Sequence, residues 1–86
     1  MDLTAPYWFK QRQGKAEPAG ENVYRLTAPN LAEAFVGIRK ADNARWAGFV
    51  RAKADAPDTE ATEPIFDNEP EAWYAAFELY RRHIIV

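Results

Sequence analysis

Few residues in this chain could carry out covalent chemistry. The sequence contains no Ser, no Cys and a single His, His83. Nucleophilic hydrolysis requires a hydroxyl or thiol beside an activating base, and the four Thr residues have no evident base to activate them. The composition therefore predicts a protein that is not an enzyme and has no catalytic residue.

Metal and cofactor sites are not expected either. A lone His does not make a zinc site. Four carboxylates lie close together in the sequence, at Asp55, Asp58, Glu60 and Glu63, but this stretch lacks the Gly and the ligand spacing of a calcium-binding loop. The four glycines are isolated, so no phosphate-binding or dinucleotide-binding loop is present. We expect a solvated acidic loop, no metal and no cofactor.

The charge distribution favours a binding function. The net charge is −2, yet residues 36–53 carry five basic residues and one acidic residue, whereas residues 55–78 carry eight acidic residues and no basic one. Such an asymmetry can steer a charged partner even when the net charge is small. A surface of scattered, solvated charges is the alternative interpretation. The candidate contacts to a nucleic acid or another partner are Arg39, Lys40, Arg45, Phe49, Arg51 and Lys53.

The composition also bears on where the protein resides. The absence of Cys excludes disulfide bonds and fits a reducing cytoplasm. The N-terminus lacks the basic start and apolar run of a secretory signal, and no stretch has the roughly 20 apolar residues that span a bilayer. We therefore expect a soluble, cytoplasmic protein outside the membrane.

Length and composition predict one domain. The chain has 86 residues, of which 48% are hydrophobic, which is enough for a single core. Residues 1–30 are expected to supply N-terminal strands and a loop. Residues 35–86 are expected to form two paired strands, a return strand and a helix.

The N-terminal part has weaker signals. Alternating aromatic and polar residues predict a strand over residues 7–12. Gly and Pro predict a loop or a wide hairpin turn over residues 13–20, and residues 22–27 are typical of a second strand. Residues 31–34 are either one helical turn or the entry to the next strand.

The clearest local prediction is a β-hairpin of residues 35–40 and 45–52. Its turn falls at Asp42 and Asn43, because this pair tolerates the left-handed backbone of a tight turn. Residues 63–66 follow an acidic loop and are short enough to form an edge strand that accommodates a Pro.

Alternate side chains of a strand point to opposite faces of the sheet. If Trp46, Gly48 and Val50 face a covering helix, Phe49 faces outward beside Arg51.

A C-terminal helix is predicted to start after Asp67 or Asn68, either of which can cap it, and to extend to about Ile84. Its apolar residues fall on one continuous arc that includes Trp73. His83 lies on the same arc, where a packing or capping role is expected. The predicted fold is thus α+β, with an antiparallel sheet of three to five strands covered on one face by the C-terminal helix.

Part of this pattern is similar to a known family. The motifs at similar spacing are Gly37-Ile38-Arg39, the strand Arg45 to Arg51, Phe66-Asp67 and the helix start at Glu71-Ala72. Over about residues 37–81 the chain resembles the AP2/ERF-type DNA-binding domain, whose three-stranded sheet is backed by a helix. That family reads the major groove with the exposed face of its sheet, using Arg, Trp and Glu.

The resemblance implies which residues would read DNA. Arg39 and Arg51 match two of the family's arginine positions, whereas an expected Arg, Trp and Glu correspond to Ala41, Asn43 and Phe49. The resemblance and the basic hairpin together predict a non-catalytic binding module that contacts nucleic acid through a basic sheet face. The alternative is a protein-interaction module or small inhibitor that uses this face, or the acidic loop 55–63, against a protein partner.

Overall fold

The computed structural model describes residues 5–85 of the chain. Their elements are α1 Tyr7–Gln11, β1 Lys15–Gly20, β2 Val23–Thr27, β3 Ala34–Lys40, β4 Trp46–Arg51, β5 Glu60–Ala61 and α2 Glu69–Tyr80, with a π-helical turn at Arg81–Ile85. Within the described residues, the five strands form one antiparallel sheet in the order β1-β2-β3-β4-β5, so each strand pairs with the next along the chain. Helix α2 packs on one face of the sheet, which confirms the predicted α+β fold.

The main core lies between α2 and the sheet face that α2 covers, called here the inner face. Gly48 allows a close approach of α2 to β4, because a Cβ at this position would lie 2.8 Å from the Ala72 carbonyl oxygen and 2.9 Å from the Ala76 nitrogen. The buried residues of this core are Phe9, Leu26, Ala34, Val36, Ile38, Val50, Ala72, Trp73, Ala76, Phe77, Leu79 and Tyr80. Trp46 is half-buried and packs against them.

The start of α2 agrees with the prediction. The Asn68 side-chain oxygen accepts a hydrogen bond of 3.0 Å from the Glu71 backbone N–H, and a Pro stands in the first turn. The regular α-helix ends at Tyr80, before the predicted end at Ile84, and continues as the π-helical turn. None of the helices in residues 5–85 has the length and apolar character that crossing a bilayer requires.

Residues 7–12 were predicted to form a strand, and this prediction was wrong. They form the short helix α1, which buries Phe9 completely and leaves Tyr7 74% exposed. The Phe9 ring lies 5.7 Å from that of Phe77, and Trp8 stacks on Tyr80 at 6.3 Å. Six residues are too few to distinguish the two periodicities, so packing against α2 decides the conformation.

The loop or wide hairpin turn predicted over residues 13–20 was also wrong, because Lys15–Gly20 forms β1 and pairs with β2. This strand has no alternation of buried and exposed residues to reveal it. It lies at the edge of the sheet, where a Pro is tolerated because only one side of the strand must complete a ladder. A register shift between Pro18 and Gly20 marks a bulge.

The predicted hairpin is confirmed as β3 and β4. Its turn is closed by a 2.8 Å hydrogen bond from the Ala41 N–H to the Arg45 carbonyl oxygen. Asn43 stabilises the turn by accepting a hydrogen bond from the Arg45 N–H, but the left-handed residue is Ala44, with φ of 66°. Residues 31–34 contain no helical turn, and Ala34 already belongs to β3.

The return strand lies earlier than predicted. It is the two-residue β5, whose Ala61 pairs with Phe49, whereas of residues 63–66 only Phe66 forms a bridge, with Trp46. Pro64 has no N–H to donate to a ladder, which limits pairing in the predicted segment. Thr62 fixes the chain between the two contacts, because its hydroxyl oxygen accepts a 2.9 Å hydrogen bond from the Gly48 N–H.

Candidate binding surface

The sheet face that points away from α2, called here the outer face, carries three of the six predicted contact residues. Gly48 and Val50 lie against α2 and the main core, so the neighbouring Phe49 and Arg51 lie on the outer face. Arg39 lies on the same face of β3, two residues from Gly37, which pairs with Phe49. The predicted division of β4 into two faces is confirmed.

Phe49 points away from the helix but is only 3% exposed. The guanidinium carbons of Arg39 and Arg51 lie 4.3 Å and 4.6 Å from the centre of its ring. Gly37 leaves room for the ring, because a Cβ at Gly37 would overlap it. Two guanidinium groups therefore cover the Phe49 ring, which is not open for stacking against a base.

Asp58 joins the two arginines. Its Oδ1 accepts hydrogen bonds from Arg51 Nε at 2.8 Å and from Arg39 Nη2 at 3.2 Å, and its Oδ2 accepts one from Arg39 Nη1 at 2.8 Å. Arg39 thus makes a two-pronged contact with the carboxylate. We call Arg39, Phe49 and Arg51 the arginine clamp, and Asp58 its resident carboxylate.

The clamp keeps its resident carboxylate ionised. Partial burial raises the pKa of Asp58, but the hydrogen bonds and charges of Arg39 and Arg51 outweigh it and hold the pKa below its ordinary value of 3.8. The Asp58 side chain is 22% exposed. The expectation that this part of the acidic loop is simply solvated was therefore wrong for Asp58.

The other three predicted contact residues lie elsewhere. Lys40 pairs in register with Trp46 and places its Nζ 6.0 Å from the indole ring, on the side of the sheet opposite to the clamp. Arg45 lies at the hairpin end, with its Nε 3.5 Å from an Asp67 oxygen. Lys53 is exposed in the loop after β4 and makes no ion pair within residues 5–85. The structure thus brings together Arg39, Phe49 and Arg51 only.

Two residues that the sequence did not single out extend the outer face. Strand pairing places Arg25 opposite Phe35, and Phe35 opposite Arg51, in one row across three strands. Phe35 is 7% exposed, and Arg25 forms an ion pair with Glu33. The alternation within β2 was visible in the sequence, but the register that aligns Arg25 with the hairpin was not.

A second charged cluster fastens β5 to the C-terminal turn. Glu60 contacts His83 through the ring Nε2 and accepts a 3.1 Å hydrogen bond from Arg82. The hydrogen bond from His83 and the charge of Arg82 lower the pKa of Glu60. The single His therefore contacts a carboxylate next to β4, an interaction that the predicted packing or capping role did not include.

The described residues contain little else that could act chemically. No group of three or more His, Asp and Glu in residues 5–85 could hold a metal ion. Trp73 Nε1 and the Tyr80 hydroxyl are buried without a hydrogen-bond partner in that range, and burial raises the pKa of Tyr80. Both side chains belong to the main core. The arginine clamp is the arrangement best suited to bind a charged group.

No protein-family model matches the chain, and neither a curated protein nor a solved structure matches it.

Proposed function

We propose that this chain is a non-catalytic binding module whose outer face binds an acidic segment of a protein partner. The observation that carries the proposal is the seating of the chain's own acidic segment on that face. Asp58 receives three hydrogen bonds from two arginines, both of which rest on one aromatic ring. A carboxylate of another chain would meet the same donors.

The clamp has the properties of a recognition site for carboxylates. A guanidinium group offers a planar fork of N–H donors, which binds a carboxylate with defined geometry. Phe49 limits the positions open to both guanidinium groups, so less side-chain freedom is lost on binding. The Arg39 side chain is 46% exposed, which leaves this part of the clamp accessible from solvent.

The electrostatic surroundings favour a protein over a nucleic acid. Arg39 and Arg51 are paired with Asp58, Arg25 with Glu33, and the net charge of the chain is −2. A polyanion is attracted chiefly by unneutralised positive charge, since phosphate neutralisation supplies most of its affinity. A local, geometrically defined contact with one or two carboxylates does not require an excess of positive charge.

Nucleic acid is the second candidate, because the fork of Arg39 and the adjacent Arg51 fit a phosphate as well as a carboxylate. The basic segment 36–53 and the resemblance to the AP2/ERF-type domain also support it. In this case the affinity for oligonucleotides would fall steeply with salt concentration.

The test uses a chain carrying Asp58→Asn, in which the resident carboxylate is removed. A synthetic peptide of residues 53–63 supplies the acidic segment in trans, and nuclear magnetic resonance follows its binding. We expect a dissociation constant of about 1 mM or lower, because a tethered loop acts at an effective concentration on the order of millimolar. The same peptide with Asp58→Asn should bind at least about tenfold more weakly.

Two matched variants locate the binding site. Added to the Asp58→Asn chain, Arg51→Ala should abolish peptide binding, whereas Arg45→Ala removes an exposed arginine outside the clamp and should not. Duplex and single-stranded oligonucleotides are titrated in parallel at low and high salt. Salt-sensitive binding of oligonucleotides without binding of the peptide would replace the first candidate by the second, and binding of neither would contradict both.

A further inference from the structure

The arginine clamp is not balanced in charge. Arg39 and Arg51 carry two positive charges, and Asp58 supplies one negative charge. The other carboxylate bound to an arginine of the outer face, Glu33, is paired with Arg25. One unit of positive charge at the clamp is therefore not neutralised by its resident carboxylate.

Some N–H donors of the clamp are not used by Asp58. Within residues 5–85, Arg39 Nε and Arg51 Nη2 make no hydrogen bond, and Arg51 Nη1 makes only a long contact of 3.5 Å with the Ala54 carbonyl oxygen. A carboxylate has two oxygen atoms, whereas a phosphate monoester has three terminal oxygens and a charge of about −1.5 to −2 at neutral pH. The monoester thus matches both the charge and the number of donors better than Asp58 does.

The resident carboxylate can leave without disrupting the sheet. The adjacent backbone is held independently, because the Thr59 N–H donates a 2.7 Å hydrogen bond to the Val50 carbonyl oxygen and residues 60–61 pair as β5. Asp58 is attached to the clamp by its side chain alone. Rotation of that side chain would free both guanidinium groups for another anion.

We infer that the arginine clamp is a binding site for a phosphate monoester, and that Asp58 occupies it until such a group displaces the carboxylate. The inference rests on the proposed function and deepens it, since the acidic group of the protein partner would be a phosphorylated side chain. Asp58 then lowers the affinity for weaker anions, because any ligand must compete with it.

The first experiment uses inorganic phosphate as the probe and follows the Nε–Hε signals of the arginines by nuclear magnetic resonance. The full wild-type chain is titrated at about pH 7.5, where phosphate is largely a dianion, and acetate at equal ionic strength is the monoanionic control. We expect the Arg39 and Arg51 signals to shift with phosphate at concentrations at least about tenfold lower than with acetate. Equal responses to the two anions would overturn the inference.

Variants then test the site and the competition. Arg51→Lys keeps the charge but loses the fork, and should weaken phosphate binding at least about tenfold, whereas Arg45→Lys should leave it unchanged. Asp58→Asn should strengthen phosphate binding by the inverse of the fraction of time that Asp58 leaves the clamp open, about tenfold if Asp58 occupies it about 90% of the time. Asp58→Ala provides the same test should the Asn variant fail to fold. Unchanged phosphate affinity in a folded Asp58 variant, or in Arg51→Lys, would contradict the inference.

A final comparison separates a phosphorylated peptide from free phosphate, and the inference from the proposed function. The peptide of residues 53–63 is made with Asp58→phosphoserine and is compared with the unmodified peptide on the Asp58→Asn chain. We expect the phosphorylated peptide to bind at least about tenfold more tightly than the unmodified one. Equal binding of both peptides would refute the phosphate inference and leave the acidic-segment proposal standing, whereas binding of neither would refute both.

Discussion

The two faces of the β3–β4 hairpin bury apolar groups in different ways. On the inner face, Val36 and Val50 are covered by side chains of α2, and both are at most 1% exposed. On the outer face, Phe49 is 3% exposed, but its cover consists of two guanidinium groups that a loop carboxylate holds in place. The inner cover is part of the fold, whereas we propose that the outer cover can be exchanged for a ligand.

The same contrast appears in the two glycines of the hairpin. At Gly48, on the inner face, a Cβ would meet backbone atoms of α2. At Gly37, on the outer face, it would overlap the Phe49 ring, and it would lie 2.6 Å from the Asn22 carbonyl oxygen. Each face therefore uses the absence of a side chain to make room for a neighbouring group, the α2 backbone at Gly48 and the Phe49 ring at Gly37.

The largest effect is expected from truncating an aromatic residue of the inner core. Phe77 is 1% exposed and contacts the aromatic rings of Phe9 and Trp8. Phe77→Ala should lower the free energy of unfolding by about 3–5 kcal/mol, because it removes buried apolar surface and leaves a cavity. In a domain of this size that loss could abolish folding. Urea denaturation followed by circular dichroism measures it, and Phe77→Leu is the milder control.

A smaller loss of stability is expected when a methyl group is added between β4 and α2. Gly48→Ala places a methyl group within 2.9 Å of backbone atoms of α2, which cannot move away as a flexible side chain could. We expect the free energy of unfolding, measured by urea denaturation, to fall by about 1–3 kcal/mol, which is typical of overpacking. If Gly48→Ala were neutral, α2 could move away from β4 at little cost, and the inner cover would not be the rigid one that the comparison requires.

The sequence predicted those parts of the molecule that depend on local patterns. The hairpin, the start of α2 at Asn68 and the division of β4 into two faces follow from alternation, turn chemistry and capping. Residues 7–12 and 13–20 were assigned wrongly because a short helix and an edge strand depend on tertiary contacts, such as the packing of Phe9 beneath α2.

The candidate site, too, could be predicted from the sequence only where it depends on local patterns. Arg39, Phe49 and Arg51 were identified because they lie in one predicted hairpin. Asp58 was missed because its role depends on how the chain returns from β4 to β5, and the return strand was placed three residues too late. Side-chain contacts that cross a loop have no periodicity by which a sequence could reveal them.

The outer face should tolerate changes that the inner face does not. Arg51→Ala removes a partly exposed guanidinium group, and Asp58 keeps its two hydrogen bonds with Arg39. We expect a change of about 1 kcal/mol or less in the free energy of unfolding, since partly exposed ion pairs contribute little. Binding of the acidic peptide to the Asp58→Asn chain is nevertheless expected to be lost. A large loss of stability would show that the clamp is a structural element and not an exchangeable cover.

The smallest change in the free energy of unfolding is expected from lowering the pH. Because the folded-state pKa of Asp58 lies below its ordinary value of 3.8, Asp58 contributes stability that is fully present above that value and is lost as the pH falls through the lower folded-state pKa. Asp58→Asn should therefore be less stable than the wild type at about pH 7, and the difference should be smaller at about pH 2.5, because the carboxylate loses its charge as the pH falls.

Glu60 is the matched carboxylate for this acid experiment, because its pKa is also lowered but its partners, His83 and Arg82, lie in the C-terminal turn. The difference in stability between the wild type and Glu60→Gln should likewise shrink as the pH falls below the ordinary Glu value of 4.5. Phosphate should protect the Asp58→Asn chain more than the Glu60→Gln chain, in which Asp58 still competes for the clamp. Urea denaturation at about pH 7 and about pH 2.5 measures the acid sensitivity of both variants. Urea denaturation at about pH 7 with and without inorganic phosphate measures the protection by phosphate. Equal protection by phosphate in the two variants would mean that the anion binds outside the clamp, and the outer face would lose its assignment as a binding site.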